Sequence, residues 1–118
     1  MYLSFIEIIM EKTDIDRIRN IILHGEVVAS VHFVRRMSLR HIAYEEVEYT
    51  ILNGEVIEEY PEDYPHPSCL IFCLEVNGRP LHVVAALDNT RVIIVTAYEP
   101  TEDKWESDFK TRKRSNQS

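Results

Sequence analysis

One histidine and two arginines recur at intervals of four residues in a short stretch of this chain. His32, Arg36 and Arg40 would lie on one stripe of a helix, because residues four apart are neighbours on a helix surface. An imidazole exchanges protons near neutral pH, and a guanidinium binds a phosphate through paired hydrogen bonds. The combination indicates a site that holds an anionic group and moves a proton beside it. The alternative is a solvated helix face on which Arg36 pairs with one of the many acids.

A second group of polar residues falls on two predicted strands further along the chain. Arg79 and His82 lie near the start of one strand, and Thr96 and Tyr98 end the next. Alternate residues of a strand share a face, so Thr96 and Tyr98 would project beside His82 across the ladder. The alternative for His82 is a hydrogen-bonded core residue, and for Tyr98 a packing role.

These residue types suit RNA cleavage without a metal. That reaction needs a base for the 2′-hydroxyl, an acid for the leaving 5′-oxygen and cations for the phosphate oxygens. The predicted catalytic residues are His32, His82 and Tyr98, and the predicted substrate-binding residues are Arg36, Arg40, Arg79 and Thr96. The sequence has neither a compact set of metal ligands nor a glycine-rich phosphate loop, so we predict no metal and no cofactor.

Charge is unevenly distributed along the chain. The 118 residues carry a net charge of −7, which opposes non-specific binding to nucleic acid. Residues 28–42, however, hold three arginines, two histidines and no acid, whereas residues 45–63 hold eight acids and no base. The acidic stretch is either a solvated face or a docking surface for a basic partner.

Composition also limits the location and the redox chemistry of the protein. No apolar run approaches the ~20 residues that cross a bilayer, and the first ten residues lack the basic start of a signal peptide. We therefore expect a cytoplasmic protein that has no membrane partner. Cys69 and Cys73 lie in an apolar run and are expected to be buried, reduced thiols.

Hydrophobic periodicity predicts helices first and strands afterwards. The predicted elements are helices at about 15–24, 29–40 and 43–52, strands at 55–60, 69–76, 80–87 and 91–98, and a short helix at 101–110. In the second helix we expect Val31, Val34 and Met37 to face inward. Asn77-Gly78 marks a tight hairpin. The fold class is α+β, with N-terminal helices followed by a four-stranded antiparallel meander. We predict a single domain over residues 1–112 and a disordered polar tail at 113–118.

Several motifs resemble a bacterial family described as a domain of unknown function, DUF4258. The similarity extends over about residues 15–112 and rests on Ser30-x-His32-x-x-x-Arg36-Met37-x-x-Arg40, Asn53-Gly54-Glu55-Val56-Ile57-Glu58, Arg79-Pro80-Leu81-His82-Val83-Val84, Thr96-Ala97-Tyr98-x-Pro100 and Trp105. His66 and Cys73 depart from the family pattern, so we assign neither a function.

The resemblance to DUF4258 also implies a fold, an activity and a partner, which the residues alone do not indicate. Family members are similar in size and layout to RelE- and MqsR-type toxin ribonucleases, and their genes often neighbour a small zinc-finger protein. It therefore implies a RelE-like or barnase-like fold, a toxin–antitoxin endoribonuclease acting on RNA, and a zinc-finger-type antitoxin as partner. The alternatives are a non-catalytic protein-binding module and a structural domain without a site.

Overall fold

The computed structural model describes residues 13–114. Within this part of the chain, three helices pack on a five-stranded sheet. The helices are α1 (Ile15–His24), α2 (Val31–Leu39) and α3 (Tyr44–Asn53). The strands are β1 (Glu26–Ala29), β2 (Glu55–Tyr60), β3 (Ser68–Val76), β4 (Arg79–Asp88) and β5 (Arg91–Tyr98). The α+β class and the meander from β2 to β5 are confirmed.

The sheet is mixed, so the prediction of four antiparallel strands is wrong. The strand order is β1-β5-β4-β3-β2, and β1 pairs in parallel with β5, with Glu26 opposite Arg91 and Ala29 opposite Ile94. A strand of four residues is too short to carry an alternating pattern, and β1 is separated from α1 only by Gly25. Its strand conformation depends on the open edge of β5, which is distant in sequence.

The two faces of the sheet are covered differently. The three helices bury the larger core against one face, where Ile18, Val47 and Ile51 are fully buried. The opposite face carries a smaller cluster of Leu70, Val84 and Trp105. His82 and Tyr98 lie on this second face, opposite one another across β4 and β5.

Helix α2 turns a different side toward the core from the one predicted. Phe33 and Met37 are buried, whereas Val31 and Val34 are 67% and 52% exposed, so the prediction for these two valines is wrong. Ser30 caps the helix by accepting a hydrogen bond from the Phe33 N–H at 3.0 Å. The larger side chains Phe33 and Met37 bury more apolar area than two valines, which outweighs the valine spacing.

Residues 101–114, which we call the C-terminal segment, form turns rather than the predicted helix. Trp105 pairs with Arg112 through an isolated antiparallel bridge. The Asp108 carboxylate accepts hydrogen bonds from the N–H groups of Lys110 and Thr111, at 2.8 and 3.0 Å. Such aspartate turns compete with helix formation. The segment crosses the second face of the sheet, and Trp105 is buried there, with 2% of its surface exposed.

The predicted ends of the domain are only partly described. Residues 1–12 and 115–118, which include most of the predicted tail, lie outside the described residues. Within the tail, the Lys113 N–H donates to the Lys104 carbonyl at 3.0 Å. Among residues 13–114, no helix has both the length and the apolar character needed to cross a membrane.

Candidate functional site

A hollow of about 470 Å³ opens where β5 ends and the C-terminal segment begins. We call it the Arg40 hollow. Its polar wall comprises Arg40, Tyr98, Glu99, Thr101, Asp103, Lys104 and Arg112, and Pro100 and Trp105 contribute the apolar part. The hollow therefore combines three cationic and two acidic side chains with a phenol, a hydroxyl and an aromatic ring.

Arg40 is held at the open edge of β5. β1 pairs only with residues 91–94, so no strand within residues 13–114 pairs with the outer edge of β5 beyond Ile94. There the Arg40 guanidinium donates to the Ala97 carbonyl at 2.7 Å and to the Thr96 hydroxyl at 3.4 Å. Because Nη1 makes both contacts, the rest of the guanidinium can bind a ligand. The structure thus brings Arg40, Thr96 and Tyr98 together.

The arginines of α2 have no acidic partner in the described part of the chain. No described carboxylate lies within 4 Å of Arg35, Arg36 or Arg40, although all three side chains are in exposed positions. In a chain of net charge −7, unpaired guanidinium groups on one helix create a local positive potential. Such a potential favours an anionic ligand.

Both acids that line the Arg40 hollow make contacts with protein groups. The Glu99 carboxylate lies 3.7 Å from the Arg79 guanidinium. Asp103 accepts a hydrogen bond from the Thr101 hydroxyl, which lowers the pKa of that carboxyl. Lys104 is in an exposed position at the wall of the hollow.

Arg112 closes one side of the hollow and is already paired. Its Nε and Nη2 atoms lie 2.9 and 3.2 Å from the two carboxylate oxygens of Glu58. Its guanidinium also stacks over the Trp105 ring, 4.6 Å from the centroid. This pairing connects the C-terminal segment to β2. Of the three cations that line the hollow, Arg40 and Lys104 therefore keep hydrogen-bond donors that can bind a ligand.

His82 is sealed beneath the C-terminal segment. None of its surface is exposed, and Trp105 packs edge-on against the ring at 4.5 Å between centroids. Nε2 lies 2.7 Å from the Phe109 carbonyl, and Nδ1 lies 3.3 Å from the Tyr98 phenol oxygen. Both ring nitrogens are therefore bonded to protein groups. Neither ring nitrogen is free for a substrate in this conformation, so the predicted role of His82 as an acid or base stays a prediction without support from this geometry.

Burial determines the protonation state of His82. Burial lowers the pKa of His82, while the hydrogen bond to the Phe109 carbonyl and the charge of Glu58 act in the opposite direction. Burial also raises the pKa of Tyr98, although Arg112 and Arg40 act to lower it. At neutral pH the pair therefore consists of a neutral imidazole and a protonated phenol.

The buried imidazole makes the stability of the protein depend on pH. An unfolded histidine takes up a proton below about pH 6.5, whereas in the folded protein the pKa is lower. The unfolded state then binds more protons, so the stability contributed by His82 is complete above about pH 6.5 and is lost as the pH falls through the folded pKa. We expect the free energy of unfolding, measured with urea, to fall between pH 7.5 and pH 5, and to fall less in His82→Phe. An equal fall in both proteins would contradict this assignment.

Arg79 lies apart from the hollow, in an ion-paired position. Its Nη2 donates to the His41 carbonyl at 2.6 Å and to Glu46 at 3.0 Å. Burial opposes ionisation of Glu46, but hydrogen bonds from Ala43, Asn77 and Arg79 outweigh it and lower the pKa of that carboxyl. Arg79 thus joins β4 to the start of α3, and its substrate-binding role stays a prediction without support from this geometry.

His32 and Arg36 lie in exposed positions on α2, as the helical stripe predicted. Eight residues of helix rise about 12 Å, so His32 and Arg40 are too far apart to hold one phosphate oxygen between them. Arg36 lies one turn from each. Neither His32 nor Arg36 lines the Arg40 hollow, so a ligand that contacted all three side chains would have to extend from the hollow along α2.

Sequence reasoning missed the residues that the C-terminal segment contributes. Lys104 and Arg112 line the hollow, and Glu58 pairs with Arg112, but none of the three was predicted as part of the site. The only useful signal was the single tryptophan, Trp105, because a large aromatic side chain indicates a packed segment rather than a free tail.

Neither cysteine lines the Arg40 hollow. Cys69 and Cys73 are free thiols; Cys69 is buried and Cys73 partly buried. Burial raises the pKa of Cys69 to about 12, which leaves an unreactive thiol. Among residues 13–114, no group of three or more histidine, cysteine or acidic side chains is placed to hold a metal ion.

Comparison with known proteins identifies the family. The family model described as Domain of unknown function (DUF4258) matches residues 29–99, which is more than half of the chain. The chain therefore belongs to this family. No curated protein and no solved structure matches it. The match runs from the end of β1 to Glu99, so it includes Arg40 and Tyr98 but stops before Lys104 and Arg112.

Proposed function

We propose that this protein binds single-stranded RNA along the basic side of α2 and cleaves it without a metal ion, as a cytoplasmic toxin-like endoribonuclease. One observation carries the proposal. The Arg40 guanidinium is fixed beside the Tyr98 phenol in a solvent-open hollow, at the end of a helix whose arginines have no acidic partner among the described residues. Fixed guanidinium groups with free donors bind the phosphates of a nucleic-acid backbone.

The proposed roles follow from which side chains reach solvent. Arg36 and Arg40 hold the phosphate, and His32 exchanges the proton because it is the exposed histidine of the predicted pair. The 2′-oxygen loses its proton and attacks phosphorus, the P–O5′ bond breaks, and the 5′-oxygen gains a proton. The products are a 2′,3′-cyclic phosphate and a 5′-hydroxyl. A RelE-like fold and an antitoxin partner belong to the same proposal and are supported by the family resemblance alone.

The direct test is incubation of purified protein with several defined RNAs in the presence of EDTA. We expect fragments that carry a 5′-hydroxyl, and a rate about 10²–10⁴-fold lower in His32→Ala, which is the usual contribution of a proton-transfer group. His24→Ala is the matched control, because His24 is also exposed but lies at the end of α1. Intact RNA after incubation with correctly folded protein would refute the enzyme proposal.

A non-catalytic protein-binding module is the second candidate, and two observations favour it. The sealed position of His82 leaves the site without a pair of reactive histidines. In addition, Val31, Val34 and Leu39 are exposed on α2 among its arginines, and exposed apolar residues beside arginine are typical of protein interfaces. This candidate predicts that His32→Ala leaves every phenotype intact, while Arg36→Glu abolishes binding of a protein partner.

A further inference from the structure

The hydrogen bonds of His82 determine which way the Tyr98 hydroxyl points. The Phe109 carbonyl can only accept, so the ring nitrogen 2.7 Å away, Nε2, carries the hydrogen. In a neutral imidazole the other nitrogen then has a free lone pair. Nδ1 is that nitrogen, and the group 3.3 Å from it is the Tyr98 phenol. Tyr98 is therefore the donor in this bond, and its proton points toward Nδ1 of His82.

The surroundings of the ring maintain this arrangement. Trp105 and Phe72 both pack edge-on against His82, at 4.5 and 5.6 Å between centroids, and exclude water from it. The charged groups on this face, Glu58 and Arg112, are bonded to each other. Burial favours the neutral imidazole, so Nδ1 remains an acceptor at neutral pH.

This bond has a consequence for the Arg40 hollow. Tyr98 lines the hollow, and because its proton is committed to His82, its oxygen offers lone pairs to a ligand. A phosphodiester oxygen carries no hydrogen and therefore cannot donate a hydrogen bond to the phenol oxygen, whereas a ribose 2′-hydroxyl can. The 2′-hydroxyl is also the group by which proteins distinguish RNA from DNA. Arg40, on the same wall, supplies the positive charge for the adjoining phosphate.

We infer that Tyr98 accepts a hydrogen bond from the ribose 2′-hydroxyl, that His82 is the positioning residue which orients Tyr98 for this, and that the hollow selects RNA over nucleic acids that lack a 2′ donor. The inference rests on the proposed binding of RNA and adds the basis of its sugar specificity. It assigns the buried histidine a role that needs no contact with substrate.

Binding of matched oligonucleotides tests the inference. The probes are one single-stranded RNA and the same sequence with 2′-fluoro sugars, which keep the sugar conformation but donate no hydrogen bond. Binding is read after a brief incubation on ice, and gel analysis restricts the comparison to time points at which little RNA has been cleaved. We expect wild-type protein to bind the RNA about threefold to tenfold more tightly, the usual effect of one hydrogen bond. Tyr98→Phe should bind both probes equally. Tyr60→Phe is the matched control, because Tyr60 contacts Glu58 and does not line the hollow, and it should keep the wild-type preference.

A second measurement tests the positioning role without RNA. Nitrogen-15 NMR of His82 near pH 7.5 should show hydrogen on Nε2 and a bare Nδ1, and Tyr98→Phe should shift the Nδ1 resonance while the fold stays intact. A hydrogen on Nδ1 would overturn the inference. Equal binding of the two probes by wild-type protein, or a preference that persists in Tyr98→Phe, would overturn it while leaving the proposed RNA binding in place. If neither probe binds at all, the proposed function fails and the inference fails with it.

Discussion

Replacing Arg40 with glutamate is expected to weaken binding of single-stranded RNA by about tenfold to a hundredfold, the effect of losing one or more charge-assisted hydrogen bonds. The substitution removes the guanidinium at the centre of the hollow and places a carboxylate beside Glu99. Fluorescence anisotropy at several salt concentrations would measure the effect. The dependence of affinity on salt should also become weaker, because each lost phosphate contact lowers the number of ions released on binding.

Arg35→Glu is the matched control for this experiment. It makes the same change of charge on the same helix, but Arg35 does not line the hollow. If Arg40 contacts RNA in the hollow, Arg35→Glu should lower the RNA affinity much less than Arg40→Glu does. If RNA is attracted only by the overall charge of the helix, the two substitutions should lower the affinity by similar factors. Equal losses would therefore contradict a specific site at Arg40. Circular dichroism would show that loss of the contact with the Ala97 carbonyl has not altered the fold.

Trp105→Ala is expected to lower the free energy of unfolding by about 3–5 kcal/mol, the usual cost of truncating a large buried aromatic residue. Trp105 has 2% of its surface exposed and packs with Leu70 and Val84 on the second face of the sheet. Its removal also eliminates the edge-on contact with His82 and the platform beneath the Arg112 guanidinium. Urea denaturation at neutral pH would measure the loss.

Tyr64→Ala is the control for the truncation itself. Tyr64 is also a large aromatic residue but is 95% exposed, so its removal should change stability by less than about 0.5 kcal/mol. A loss below about 1 kcal/mol in Trp105→Ala would mean that the C-terminal segment is not an integral part of the folded domain. Since the segment forms one wall of the hollow, that result would also remove Lys104 and Arg112 from the candidate site.

Local patterns predicted most of the secondary structure. α1 and α3 have clear amphipathic spacing and end before Gly25 and Gly54, and the strands from β2 to β5 are separated by recognisable turns. The two errors lie where local signals are weak. The four residues of β1 become a strand only through pairing with β5, and the spacing of Trp105 and Phe109 resembles a helix although Asp108 forms a turn between them.

The candidate site was predictable in its residue types but not in its arrangement. The repeat of His32, Arg36 and Arg40 indicated an exposed basic stripe, and strand pairing placed Tyr98 opposite His82 as expected. Sequence spacing cannot show whether a side chain faces solvent or another segment. His82 was therefore predicted as a catalytic group, but the C-terminal segment covers it.

The sequence by itself determined the helices, the antiparallel meander, the family and the basic stripe on an acidic chain, because each of these depends on residues close together along the chain. The tertiary structure decided which of the predicted residues meet. The parallel pairing of β1 leaves the end of β5 open to Arg40, and the C-terminal segment covers His82 while leaving Tyr98 at the hollow. These contacts join residues up to 65 positions apart, as in the pairing of Glu26 with Arg91, and their formation depends on how the elements pack and on what that packing buries.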